Sequence, residues 1–226
     1  MAKSTTFRLI LICAVSLATK MVFFVGYHAQ PDDLIYIREA HHILTGEFTF
    51  SDHHSFRVAA LLLLAISQMV FGVNLFSATI VHLVISLLLL WLIFAIGKAL
   101  YDESTGLIAA ALAGIVPIHI FLSTTAYVDM EATVLTSLGF LLLLKFERFR
   151  ICMAAGIILG ISWLSREYTI FFAAFLIAAA LLRRKWRKRV FACLCGFTAL
   201  ILLEIVFYWV VLGDPLARFH KGIGAH

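Results

Sequence analysis

Two adjacent carboxylates, Asp32 and Asp33, are the residues of this sequence with the clearest potential for chemistry. They follow Pro31 directly, at the start of an amphipathic stretch near 33–45. A positioned carboxylate can take a proton from a hydroxyl group and so act as a general base. The same pattern also fits the N-cap and first turn of a helix, which acidic side chains stabilise by about 1 kcal/mol. These residues alone leave both interpretations open.

A second acidic pair, Asp129 and Glu131, lies between two apolar segments. Carboxylates at a membrane boundary are costly unless they pair with a cation, bind a metal or take part in a reaction. The alternative is again structural, because Asp129 could cap the following helix and Glu131 could lie in its first turn.

Histidines in the first polar stretch raise the question of a metal. His53 and His54 follow Asp52, and imidazole and carboxylate groups are common metal ligands. Together with Asp32 and Asp129, the two histidines form a set from which a divalent metal site could be built. Adjacent histidines in a polar loop are more often simply solvated. The sequence therefore predicts no certain cofactor and leaves a divalent metal ion open.

Two charged groups occur beside or inside later apolar segments. Arg166 is followed by Glu167 in a tight turn, where the two can neutralise each other or Arg166 can bind a substrate phosphate. Glu204 is an isolated acid within an apolar segment, which suggests a functional group, and no neighbour in the sequence supplies a cation for it.

The composition shows which solvent surrounds these groups. Hydrophobic residues make up 63% of the 226 residues and charged residues 14%, with a mean hydropathy of +1.02. A soluble domain is about half apolar and about a quarter charged, so the composition predicts an integral membrane protein. The apolar residues form runs rather than alternating, which indicates helices and not a barrel. The net charge of +5 does not imply nucleic acid, because the basic residues cluster at the ends of apolar runs.

The topology depends on one short apolar segment, 58–72. A span needs about 20 residues, so this segment is too short to cross readily. If it does not cross and the N-terminus is cytoplasmic, the basic run 183–189 and most other lysines and arginines are cytoplasmic, as the positive-inside rule requires. The other apolar segments are 7–26, 75–97, 106–126, 131–146, 151–165, 168–182 and 190–212.

The sequence thus predicts an all-α polytopic membrane protein with about seven transmembrane helices. Residues 1–226 form a single transmembrane domain without a soluble domain, and 7–26 is a retained signal anchor in the cell membrane. Residues 27–74 form the first extracytoplasmic loop, with interfacial helices near 33–45 and 58–71. Pro117 is expected to kink its segment.

The first loop opens on Gln30-Pro31-Asp32-Asp33-Leu34-Ile35-Tyr36, which resembles membrane glycosyltransferases of the GT-C fold. The nearest resemblance is to glycosyltransferase family 39, which includes protein O-mannosyltransferases and the bacterial lipid A aminoarabinose transferase. Asp33 departs from the commoner Glu. Relatives are longer, so a fragment, a truncated gene product or a minimal module is expected. The resemblance continues through Arg57, Phe71-Gly72, Asn74, Lys98, Tyr127-Val128-Asp129-Met130, Trp163-Leu164-Ser165-Arg166 and Gly213-Asp214-Pro215.

The resemblance implies inverting transfer of a sugar from a polyprenyl-phosphate carrier to an acceptor lipid, glycan or protein at the extracytoplasmic face. Asp32 would act on the acceptor hydroxyl and Asp33 would help to position it. Arg57, Arg166 or a divalent ion would hold the leaving phosphate. Helix 58–71 would border a groove for the lipid tail. The remaining implied site residues are Asp129, from the second external turn, and Tyr36 and Glu131 as substrate-binding groups.

Two other functions stay open at this point. The chain could be a non-catalytic or truncated glycosyltransferase subunit, which its length favours and its acidic residues oppose. It could also be a transporter or flippase for a lipid-linked substrate, which predicts broken helices in corresponding positions of two halves.

Overall fold

The computed structural model describes residues 2–26 and 31–223, and the regular elements within these residues are all helices. The predicted all-α fold class is confirmed. Gln30 of the first-loop motif and the rest of 27–30 lie outside the described residues. The helices are α1 (Ala2–Val22), α2 (Pro31–Thr45), α3 (Val58–Phe71), α4 (Leu75–Leu100), α5 (Glu103–Ile115), α6 (Pro117–Thr124), α7 (Asp129–Lys145), α8 (Phe149–Ser165), α9 (Thr169–Leu182), α10 (Arg187–Leu212) and α11 (Ala217–Ile223).

The helices differ in their capacity to cross a membrane. Among the described residues, three are long and apolar enough, namely α1, α4 and the helical stretch Arg184–Leu212. A fourth span results if α5 and α6 count as one bent span. Helices α7 and α8 have 17 residues each and α9 has 14, fewer than the roughly 20 that a span needs. The chain is an integral membrane protein by composition, and the count of seven spans stays a prediction.

A proline explains the bend between α5 and α6. Helix α5 ends at Ile115, and Pro117 is the first residue of α6, with 62° between the two helix axes. Proline lacks the backbone N–H that would continue the ladder, and its fixed φ suits the first helical position. The kink predicted at Pro117 is therefore present.

The helices α2 and α3 form a hairpin that packs on the rest of the bundle. Their apolar faces meet around the buried side chains of Tyr36, Ala40 and Leu61. The Gln68 side-chain amide donates to the Ile37 carbonyl oxygen at 2.9 Å, which fixes the register of the two helices. With 14 residues, α3 matches the predicted helix 58–71, and its non-spanning position stays a prediction.

The sequence also contains a clear boundary between α3 and α4. Gly72 ends α3 with φ of 75°, a left-handed conformation that glycine adopts without strain. Asn74 then caps α4 in a capping box with Ser77, in which the side-chain oxygen of each residue accepts the backbone N–H of the other. These two caps place the hairpin directly before the long helix α4.

Glycines allow α8 and α10 to approach each other until their backbones touch. A Cβ atom at Gly156 would lie 1.8 Å from the Cys193 carbonyl oxygen, and one at Gly196 would lie 2.1 Å from the Met153 carbonyl oxygen. Both neighbours are backbone atoms, which cannot move aside as a side chain can. Small residues that let helix backbones touch are a common means of association within membranes. This contact holds the two helices that carry Trp163 and Glu204 in fixed register.

Replacing Gly156 by alanine should therefore separate α8 from α10. We expect Gly156→Ala to lower the free energy of unfolding by about 1–3 kcal/mol or more, because overpacking forces backbone shifts. The measurement is thermal unfolding of the purified protein in detergent. Gly139→Ala is the matched control, since its Cβ would meet only the Leu159 side chain and the Ala155 carbonyl oxygen, at 3.1 Å or more. Equal melting temperatures for the two variants would contradict the proposed contact.

Candidate active site

The predicted site residues come together at one end of the bundle. The N-terminal turn of α2, the segment before α3, the turn before α7 and the turn after α8 meet there. Ring contacts connect them: Tyr36 lies edge-on to Tyr127 with centroids 6.3 Å apart, and the guanidinium groups of Arg57 and Arg166 lie over these two rings. The residues that the sequence indicated from separate loops thus form one cluster.

Asp32 and Asp33 have different surroundings although they are adjacent. Both lie in the first turn of α2, so the structural interpretation of this pair holds. The Asp32 side chain is 35% exposed, and its Oδ1 lies 3.4 Å from His54 Nε2. Asp33 is fully buried and lies close enough to His82 of α4 for an electrostatic interaction. Asp32 is therefore the member of the pair that a bound molecule can reach.

His54 lies between two carboxylates. Its Nδ1 is 3.5 Å from Asp52 Oδ1, on the side of the ring opposite Asp32. The same Asp52 oxygen accepts the backbone N–H groups of His54 at 2.9 Å and Ser55 at 3.2 Å, so a tight turn holds the histidine in place. The His53 ring lies against that of His54, with centroids 3.8 Å apart and the ring planes tilted by 37°. Burial is the main cause that lowers the pKa of His53, and the charge of the neighbouring His54 lowers it further.

The predicted metal ligands do not assemble. Among the described residues, no three histidine, cysteine or acidic side chains are arranged to hold a metal ion. Asp32 approaches His54, but both oxygens of Asp129 are occupied by an arginine. The donor set predicted from Asp32, Asp129, His53 and His54 therefore does not fit a shared ion.

Arg57 is a buried cation with unused donors. Its side chain packs over the Tyr36 ring at 5.4 Å, and the residue is 6% exposed. Its Nε and Nη1 have no hydrogen-bond partner among the described residues, and the same holds for the buried Tyr36 hydroxyl. Burial is the main cause that lowers the pKa of Arg57, and the charge of Arg166 lowers it further. Glu167, Asp129 and Asp32 act in the opposite direction.

Arg166 and Asp129 form a bidentate ion pair. Arg166 Nε donates to Asp129 Oδ1 at 2.9 Å, and Nη2 donates to Oδ2 at 2.8 Å. Arg166 also lies over the Tyr127 ring at 5.2 Å. Burial acts to lower the pKa of Arg166, but the hydrogen bonds and charge of Asp129 raise it overall. Two residues predicted to contact substrate independently are thus partners of each other.

Glu131, predicted to bind substrate, lies inside the bundle. It is 4% exposed, and its Oε1 is 2.9 Å from His82 Nε2. The first turn of α7 faces α4 here, so the carboxylate points inward. Glu131 and His82 form a buried polar pair close to Asp33.

The lone acid of α10 has partners that local sequence did not reveal. Glu204 Oε1 is 2.9 Å from Arg218 Nε, and Glu204 Oε2 accepts the Trp163 indole N–H at 2.7 Å. Arg218 lies on α11 and is buried. The one signal was general: an acid within an apolar helix implies a cation somewhere in the fold. An apolar cavity of about 350 Å³ adjoins this network, lined by Phe50, Val58, Leu164, Leu200, Leu203, Glu204, Phe207 and Tyr208.

Comparison with known proteins assigns a family to this fold and site. The sequence profile described as dolichyl-phosphate-mannose-protein mannosyltransferase matches residues 54–209. No curated protein and no solved structure matches the chain. The matched segment contains His54, Arg57, Asp129 and Arg166, and Asp32 lies before it. Because the match covers more than half of the 226 residues, the chain belongs to the dolichyl-phosphate-mannose-protein mannosyltransferase family of membrane glycosyltransferases.

Proposed function

We propose that the protein transfers a sugar from a polyprenyl-phosphate carrier to an acceptor hydroxyl at the extracytoplasmic membrane face, with inversion at the anomeric carbon. One observation carries the proposal: Arg57 is a buried cation with two unpaired donor nitrogens, close to the second cation Arg166. An unpaired charge in a low-dielectric site is costly, and a bound phosphate would supply the missing partner. The site is therefore electrostatically suited to an anionic ligand.

The phosphate would bind to Arg57 and to the neighbouring hydroxyl of Tyr36. Both groups are buried and have hydrogen-bond donors unused by the described residues. In the reaction the bond between the anomeric carbon and the phosphate oxygen breaks, and negative charge accumulates on the leaving polyprenyl phosphate. Donors that are already in place stabilise such charge more than water does.

Asp32 would be the general base. It is the more exposed member of the acidic pair, and its Oδ1 lies 3.4 Å from His54 Nε2. The acceptor hydroxyl would give its proton to Asp32 while its oxygen attacks the anomeric carbon from the face opposite the phosphate. Asp33 and Glu131 both interact with His82 inside the bundle, and they would help to position the start of α2 that carries Asp32.

Asp129 would act through Arg166. Because both of its oxygens accept hydrogen bonds from that guanidinium, Asp129 would orient Arg166 beside the phosphate site and balance part of its charge. The lipid tail of the donor would lie in the apolar cavity that begins at Val58, the residue after Arg57. Membrane lipids would form the outer wall of that cavity.

Neutralising Asp32 should abolish transfer without unfolding the protein. We expect Asp32→Asn to reduce kcat by about 10²–10⁴-fold, the usual contribution of a general base. The measurement is sugar transfer by the purified protein from a polyprenyl-phosphate donor. Asp102→Asn is the matched control: Asp102 caps α5 at the other end of α4, and asparagine caps equally well. Wild-type activity in Asp32→Asn would exclude Asp32 as the base.

Neutralising Arg57 should weaken donor binding without lowering the stability of the protein. We expect Arg57→Gln to raise KM for the donor by about 10–100-fold, because a charged hydrogen bond contributes about 1.5–3 kcal/mol. The melting temperature should stay the same or rise, because the unpaired buried charge is removed. Arg38→Gln is the control, since Arg38 is exposed and pairs only with Glu39 among the described residues. Unchanged donor KM in Arg57→Gln would contradict the phosphate site.

The proposed orientation can be tested by cysteine labelling in intact cells. With the other cysteines replaced, Asp52→Cys should react with an impermeant maleimide from outside. Trp186→Cys, beside the basic residues that precede α10, should react only after permeabilisation. Labelling of position 186 in intact cells would reverse the orientation and move the site to the cytoplasmic face.

A further inference from the structure

Arg218 is a buried arginine that the proposed reaction does not use and that lies beyond the family match at 54–209. We propose that Arg218 is a positioning residue, which fixes the places of Arg57 and Arg166 relative to each other. The part of this inference that concerns the donor rests on the proposed function. The part that concerns how firmly the segments around Arg57 and Arg166 are held does not rest on it.

The hydrogen bonds of Arg218 reach the chain neighbours of both site arginines. Its Nη2 donates to the Phe56 carbonyl oxygen at 2.6 Å, and Phe56 directly precedes Arg57. Its Nη1 lies 3.3 Å from Glu167 Oε1, and Glu167 directly follows Arg166. One guanidinium therefore connects the two backbone segments that carry the cations of the site.

The other contacts of Arg218 anchor it to the bundle. Its Nη1 also donates to the Trp163 carbonyl oxygen at 3.0 Å, and its Nε is paired with Glu204 at 2.9 Å. The guanidinium lies 5.3 Å from the centre of the Trp163 ring. Because α8 and α10 touch through their glycines, Trp163 and Glu204 form a rigid base for this anchor. The position of Arg218 is thus set by two helices that are in backbone contact with each other.

An anchor of this kind meets a specific need. Arg57 and Arg166 carry like charges in a buried setting and repel each other, so their separation must be fixed by other groups. A second bond from α11 adds to the restraint, because Lys221 Nζ donates to the Phe50 carbonyl oxygen at 2.7 Å. Helix α11 therefore holds the segment 50–57 near both of its ends. Lysine could not replace Arg218, because a single ammonium group cannot reproduce a planar fork with several fixed donors.

The test compares Arg218→Lys with wild type by two independent measurements. The first is hydrogen exchange of backbone amides in detergent. We expect exchange in 50–57 and 163–169 to become about tenfold faster or more, with the rest of the bundle unchanged. The second is steady-state kinetics. We expect kcat/KM for a polyprenyl-phosphate donor to fall at least about tenfold, while KM for the acceptor stays within about twofold.

The control is Arg187→Lys, the same chemical change in an exposed residue at the other end of α10. It should alter neither measurement. If Arg218→Lys does not fold, Glu204→Gln replaces it. This variant removes the charge and leaves one acceptor oxygen, which can serve Arg218 or the Trp163 indole but not both, and the same local and donor-specific changes are expected.

The outcomes separate this inference from the proposed function. Wild-type exchange in 50–57 and 163–169 of the variant overturns the inference, and so does a uniform increase across all helices. Unchanged donor kcat/KM overturns it as well. If the wild-type protein transfers no sugar at all, the proposed function fails. The amide exchange rates in 50–57 and 163–169 alone then decide whether Arg218 holds these two segments in place.

Discussion

Charged side chains enclosed by an apolar bundle must find partners, and this constraint organises the structure. Three ion pairs join different helices or turns: the pairs Arg218–Glu204 and His82–Glu131 are buried, and the pair Arg166–Asp129 is half-buried. Removing one partner of such a pair typically costs about 3–5 kcal/mol, because the other charge is left in a low-dielectric setting. These ion pairs therefore connect separate helices through specific contacts that an interior made only of leucine and phenylalanine would lack.

Arg57 is the instructive exception to this rule. Its neighbours offer a ring face and nearby acids, but two of its nitrogens have no partner among the described residues. The three ion pairs named above neutralise the charges that they join, whereas leaving Arg57 open gains the fold no stability. The unpaired guanidinium is better explained as a part of the molecule that a ligand completes.

The sequence could predict what depends on local pattern and on charge. The bounds of α3, the bend at Pro117 and the gathering of acidic and basic loop residues at one end all followed from apolar runs, proline chemistry and the distribution of lysine and arginine. The family resemblance, drawn from the motif at Asp32 and the later turns, agrees with the profile match at 54–209.

The specific pairings could not be predicted in this way. Whether Glu131 faces the site or α4 depends on the rotation of α7 about its axis, which packing against several helices decides. Whether Asp129 binds a ligand or Arg166 depends on the distance between two turns, and no local signal encodes that distance. Arg218 and Glu204 are drawn together only when α11 folds back onto α8 and α10. For the same reason the sequence left open whether His53, His54 and the two aspartates converge, and among the described residues they form no group of three metal ligands.

The unequal lengths of α8 and α10 affect the surface that surrounds the site. Trp163 near the end of α8 is level with Glu204, and α10 continues to Leu212. At 1.5 Å per residue, the eight residues from Glu204 to Leu212 rise higher than the three from Trp163 to Arg166 by roughly 8 Å. If both helices cross the membrane, a bilayer that matches the long helix is too thick for its shorter neighbour, and lipids beside α8 would thin to fit. Such thinning would lower the membrane surface toward Arg166 and bring headgroup phosphates closer to the depth of the site.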